Sequence, residues 1–212
     1  MKRTMITIAA VGLIAVPAVW AAKPAPGTLT IAASPTSVKS GGSVTLSGKL
    51  SGANVNGRTV RIRSDEFPVG NFSNVGSATT NATGDWSFVV KPTQNTRYTA
   101  NSGKANSANL DVTVHARVSL KLSDRTPRRG QRVTFSGKVC PQRDGVAIRI
   151  QRRTSAGWRK VASPVLADIA GSTCSSYSVV KRVRHTRTFR ARFLGDANLA
   201  AGNSRGKRAR VH

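Results

Sequence analysis

Three short stretches of this sequence set arginine among apolar residues. Arg149 and Arg153 lie in AIRIQRR, Arg190 and Arg192 in FRARF, and Arg208 and Arg210 in KRARV. A guanidinium presents a planar fork of N–H donors that holds phosphate, sulfate or carboxylate through two parallel hydrogen bonds, and it stays charged at physiological pH. An array of such groups would grip a polyanion by releasing its counterions, with steep salt dependence and little preference for sequence. Two cysteines, Cys140 and Cys174, are the other reactive pair. In an oxidising compartment they make one disulfide, because a metal would need two more ligands. The histidines at 115, 185 and 212 are scattered and bring no carboxylate cluster, so no metal site is expected.

Catalytic constellations are missing. Asp85, Asp144 and Asp196 fall in turn sequences, and Asp65 and Glu66 are adjacent rather than placed to face each other across a cleft. There is no nucleophile elbow, HExxH or glycine-rich phosphate loop. The sequence therefore reads as a non-enzyme with no cofactor and no small-molecule substrate.

The bulk composition agrees with polyanionic company. Lys and Arg number 34 against 8 Asp and Glu, a formal net charge of +26. Such an excess points to nucleic acid, acidic glycan, a cell-wall polymer or an anionic surface. Arginine-rich codon usage is the bland alternative. Lys2 and Arg3 precede an apolar run from Met5 to Val19, and Val19-Trp20-Ala21 is a passable cleavage site. Residues 1–21 thus read as a signal peptide, too short for a comfortable membrane span of about 20 residues. The mature chain is expected to be secreted, in contact with the cell envelope or free of it, with no integral membrane segment.

Behind the chemistry stands a repeat. After a proline-rich leader at 22–27, SVTLSGKL at Ser43–Leu50 matches QRVTFSGKV at Gln131–Val139. Val60–Arg63 matches Ile148–Gln151, Val89-Val90-Lys91 matches Val179-Val180-Lys181, and Arg97–Ala100 answers Thr188–Ala191. Four matches in one order mark tandem domains, here 28–115 and 116–212, joined with almost no linker. Within each unit the apolar period is two, as in Val133, Phe135 and Val139 or Val146, Ile148 and Ile150. Turn clusters punctuate the runs, so each unit is expected to be an antiparallel β-sandwich.

SPTSVKSGGSVTLSGKL, ATGDWSFVV, RYTA and FRARFLGD resemble the bacterial Ig-like repeats of secreted and cell-surface proteins. The resemblance covers nearly all of the mature chain. The first unit departs from it where Asn101-Ser102-Gly103 replaces the second aromatic and the Gly-Asp. It implies two tandem Ig-like antiparallel sandwiches, and the family is mostly adhesive or spacer modules. Its strand order implies A near 118–122, B near 132–139, C near 146–153, E near 175–181, F near 187–194 and G near 205–211. Cys140 and Cys174 then fall at the adjoining ends of B and E, tying one sheet at its margin.

On the same order, strands C, F and G share a sheet. Ile148, Ile150, Phe189, Ala191, Phe193 and Ala209 face inward, which turns Arg149, Arg153, Arg190, Arg192, Arg208 and Arg210 out onto one face. The equivalent face of the first unit has Arg61 and Arg63, then Thr99, Asn101, Asn109, Asp111 and Thr113. Residues 23–115 hold 9 basic and 4 acidic residues, whereas 116–212 hold 23 and 4. Codon usage alone would not separate two halves of one gene in this way. The expected function is electrostatic binding of an anionic polymer or surface by the second domain, extracellular DNA among the candidates. No aromatic platform for stacking bases is expected on that face, and Trp158 is read as a cover of the sandwich edge. The alternative is a structural spacer or protein–protein adhesion module whose charge serves only solubility.

Overall fold

The computed structural model describes residues 27–212, so the signal-peptide reading and all of the leader but Gly27 fall outside the described residues. The described chain is all-β, in two sandwiches. The first contains β1 (Thr28–Leu29), β2 (Ala32–Ser34), β3 (Ser37–Lys39), β4 (Val44–Ser51), β5 (Thr59–Glu66), β6 (Ser73–Thr79), β7 (Asp85–Val90), β8 (Thr96–Ser102), β9 (Ala105–Asn106) and β10 (Leu110–His115). The second contains β11 (Arg117–Val118), β12 (Lys121–Leu122), β13 (Gln131–Cys140), β14 (Arg149–Thr154), β15 (Gly157–Ala162), β16 (Ser175–Val183), β17 (Arg187–Phe193), β18 (Gly202–Asn203) and β19 (Lys207–Ala209).

In the first sandwich β4 pairs with β1, β2 and β7, and the facing sheet runs β3-β10-β8-β5-β6. In the second, β13 pairs with β11, β12 and β16, opposite a sheet ordered β15-β14-β17, with β18 and β19 on β17. The period-two pattern is what fixes these strands: along β8 every second residue from Thr96 is buried, and on β17 Phe189, Ala191 and Phe193 are buried. Leu46, Val60, Ile62 and Ala100 form one sealed core, and Phe135, Ile148, Ile150, Ala191 and Phe193 form the other.

The SGK segment recurs for a steric reason. A Cβ at Gly48 would stand 2.0 Å from the Thr30 carbonyl oxygen and 2.9 Å from the Trp86 ring, and one at Gly137 would stand 2.2 Å from the Ser119 oxygen and 2.6 Å from the Tyr177 hydroxyl. Gly48 pairs with Trp86 and Gly137 with Tyr177, so each repeat lays an aromatic ring across a glycine. Tyr177 donates to the Ser119 carbonyl at 2.5 Å.

Several expectations are corrected. Strand C begins at Arg149; the preceding Val146 and Ile148 pair instead with the 164–166 segment, through Leu166 N–H to Val146 and Ile148 N–H to Pro164. An additional edge strand, β15, occupies the segment around Trp158, and strand G is broken into β18 and β19. The repeats also align differently on E. Leu46 faces Phe88 and Phe135 faces Val179, so Phe88 matches Val179 and Val90 matches Lys181. A slip of one residue exchanges the two faces of a strand.

Cys140 and Cys174 are disulfide-bonded, with Cα atoms 4.3 Å apart, just beyond the Val139–Ser175 pair of β13 and β16. The bridge lies within one sheet at its margin, as expected from the strand order.

The sandwiches meet through a loop of the second. Asn95 donates from its backbone to the Asn198 carbonyl at 2.8 Å and from Nδ2 to the Ala197 carbonyl at 3.2 Å. Its Oδ1 accepts the Val114 N–H at 2.8 Å. Ala200 donates to Val114, and Ala116 donates back to Ala200. The His115 ring spans Ser37 Oγ, 2.9 Å from Nε2, and the Ala201 carbonyl, 2.7 Å from Nδ1. Val38 packs against both cores, and Leu199 is sealed in the second.

Candidate polyanion-binding face

Register decides where each arginine points. Arg149 pairs with Arg192 across β14 and β17, and Gln151 pairs with Arg190. Arg190 and Arg192 alternate with the inward Phe189, Ala191 and Phe193, so they and their partners occupy the outer face. Arg208 pairs with Thr188, which shares the Arg190 side of β17. Arg210 lies one alternation beyond Arg208, just past β19, and its N–H donates to the Arg125 carbonyl at 2.7 Å. Arg153 pairs with Trp158 on β15. All six residues therefore lie on the outer side of the β15-β14-β17-β19 sheet, where neighbouring strands are about 4.8 Å apart.

Trp158 also belongs to this face, contrary to the expectation of no aromatic platform there. The Arg190 guanidinium carbon lies 4.2 Å from its ring centroid and that of Arg153 lies 5.6 Å away. The ring thus reaches across β14 and shares its π cloud with two cations, each such contact being worth about 0.5–1 kcal/mol at an exposed site. Arg190 Nε donates to Gln151 Oε1 at 2.8 Å. Burial, then the nearby Arg192 and Arg153 charges, lower the Arg190 pKa, although a guanidinium keeps its proton under these conditions. Arg192 Nε is shielded from solvent without a hydrogen-bond partner. The face is crowded by like charges and held partly by the tryptophan, a role that Trp158's place in GWRK did not reveal.

The first sandwich shows how the same positions look when balanced. Arg61 faces Asn101 where Arg149 faces Arg192, and Arg63 faces Thr99 where Gln151 faces Arg190. Asp111 stands where Arg208 stands and forms a two-toothed pair with Arg97, at 2.7 and 3.0 Å. That pair lowers the Asp111 carboxyl and raises Arg97. In the second sandwich, among the described residues, one ion pair forms, Arg143 with Asp196 at 3.1 Å, and it shapes the joint rather than the face. Asp65, also considered for chemistry, is buried and accepts the Gly70 and Asn71 N–H groups, closing its own loop.

Among the described residues, no group of three or more His, Cys, Asp and Glu is placed to hold a metal ion, and no helix is long and apolar enough to cross a membrane.

No family model matches this sequence, and no curated protein matches it. Among solved structures it is similar to a crystal structure of a tetra-tandem repeat in the extending region of a large adhesion protein, with 20% identity and a TM-score of 0.38. The match covers 86% of this chain and 49% of that one, so the chain spans about half the length of that structure.

Proposed function

We propose that this is a secreted, non-enzymatic module of two Ig-like domains, divided at 115/116, that serves as a structural spacer or protein–protein adhesion unit. The joint is the observation that carries this reading. Asn95 and His115 make side-chain hydrogen bonds to the 197–201 loop while Val38 packs on both cores. A spacer must resist bending where its domains meet, and hydrogen bonds plus shared packing supply that resistance better than a free linker. Small-angle scattering of the described chain should give one extended, narrowly distributed shape. Asn95→Ala with His115→Ala should broaden that distribution. A broad distribution in the unsubstituted protein would overturn the reading.

The arginine face favours a second reading, in which the second domain also holds an anionic polymer. Its supporting observation is the contrast between paired charge on the first face and unpaired charge on the second. Heparin or DNA should retain the protein at low salt and release it steeply as salt rises. Replacing Arg149, Arg190, Arg192 and Arg208 by Ser should move elution to much lower salt. Unchanged elution of the folded variant would refute a localised face.

A further inference from the structure

A cleft of about 480 Å³ opens beside the joint, between the 116–120 and 203–207 segments of the second sandwich. Five cations line it: Lys39 from the first sandwich and Arg117, Lys138, Arg205 and Lys207 from the second. No carboxylate and no aromatic ring is among the lining residues. Among the described residues, none of the five forms an ion pair. Lys207 is half-buried and the other four are exposed, so these groups stay hydrated and free to reorganise around a ligand.

The fold does not require this charge, as the same corner of the first sandwich shows. Register matches Arg117, opposite Cys140, with Thr28, opposite Ser51. It matches Lys207, opposite Phe189, with Leu110, opposite Tyr98, and Leu110 packs against the first core. Asn203 and Asn106 are equivalent, which sets Arg205 at the place of Ala108. Lys138 is equivalent to Lys49, but Lys49 faces Asp85 and lies 4.0 Å from its carboxylate, whereas Lys138 faces Ser176. Where the first sandwich has three neutral residues and a paired lysine, the second has three cations and an unpaired one. Like charges gathered in this way repel and do not stabilise the sandwich by themselves. They are complementary to a small ligand of dense negative charge, with guanidinium forks and ammonium groups both suited to phosphate oxygens. The lining offers no ring on which a base could stack, and its uncharged polar side chains are Ser119 and Asn203, so charge rather than base or hydroxyl recognition selects the ligand. The volume lies within the usual range for small-ligand clefts.

We infer that this cleft binds a short linear oligophosphate, held by the four cations of the second sandwich and by Lys39 across the joint. Lys39 pairs with His115 on the neighbouring strand, so the bound anion bridges the two sandwiches. The site is separate from the outer arginine face, because Lys207 pairs with inward-facing Phe189 while Arg208 beside it points out, and it depends on neither reading above. The test is calorimetric titration of the folded protein with tripolyphosphate at physiological ionic strength. One saturable site per chain is expected, with orthophosphate at least tenfold weaker. Arg117→Thr with Arg205→Ala and Lys207→Leu, which installs the first sandwich's residues, should weaken binding at least tenfold. Lys39→Ser alone should weaken it at least twofold, and Arg190→Ser with Arg192→Asn should leave it unchanged. Amide shift mapping of the unsubstituted protein should centre on residues 116–120 and 203–207. Binding of long-chain polyphosphate that is lost in the same triple variant would identify the polymer as the source; binding of tripolyphosphate alone would identify a free oligophosphate. Unchanged affinity in the triple variant, equal binding of orthophosphate, or shifts centred on the outer face would each overturn the inference.

Discussion

Arg149 stands directly opposite Arg192 on adjacent antiparallel strands, at the position where the first sandwich sets Arg61 opposite Asn101. Like charges facing each other across a strand pair cost roughly 0.2–1 kcal/mol. Arg192→Asn should therefore raise the thermal stability of the second sandwich by an amount of that order. The gain should shrink as salt screens the pair. Calorimetry at low and high salt reads both effects, and a destabilised variant would show that Arg192 supports the fold through contacts other than its charge.

The chain has two tyrosines, Tyr98 and Tyr177, and both are buried. Burial pushes the Tyr98 hydroxyl up to about 12, and burial raises Tyr177 as well. For such a group the neutral form is favoured in the folded state. Its contribution is complete below the unfolded value of about 10 and is lost as pH rises toward the folded one. Phenolate absorbance at 295 nm should show no step near pH 10 in the native protein and should rise together with alkaline unfolding. A free titration near pH 10 would contradict the burial.

How much of this could be read from the residues follows from what fixes each feature. Period-two alternation places Phe189, Ala191 and Phe193 inward, and that parity carries Arg190 and Arg192 outward without any knowledge of tertiary structure. Gly48 and Gly137 were visible as repeats, but the aromatic ring lying over each depends on cross-strand register. Trp158 was hidden for the same kind of reason: its place over Arg190 requires β15 to pair with β14, so that the ring reaches across β14 to β17. On β16 a slip of one residue in matching the repeats concealed that Lys181, rather than Val180, stands opposite the buried Val133. The joint was the least legible part, because Asn95, His115 and the 197–201 loop meet only when two separately folded units dock.

Cys140 and Cys174 close a loop with a sequence separation of 34 within the second sandwich, whereas the first sandwich has no cysteine. In the chain-entropy account, closure at this length contributes roughly 3–4 kcal/mol. Cys140→Ser with Cys174→Ser should lower the second sandwich's denaturation midpoint accordingly and leave the first nearly unchanged. Urea unfolding followed at Trp86 reports the first sandwich, and the same transition followed at Trp158 reports the second. Equal shifts at both tryptophans would show instead that the joint couples the two sandwiches into one unfolding unit.

Asp111 supplies an acid-sensitive contribution confined to the first sandwich. Its hydrogen bond with Arg97 holds the carboxyl below its ordinary range, so the stabilisation is present above about pH 4 and is lost as pH falls through the lowered folded-state value. The pair is half exposed, which keeps its contribution small and screened by salt. Asp111→Asn should lower stability near neutral pH and flatten the decline of the first sandwich between pH 5 and acid, roughly the window in which carboxylates protonate. Melting temperatures of both proteins across that range, followed at Trp86, test this directly. Parallel curves for the two proteins would mean that Asp111 is not the carboxylate whose protonation weakens this sandwich.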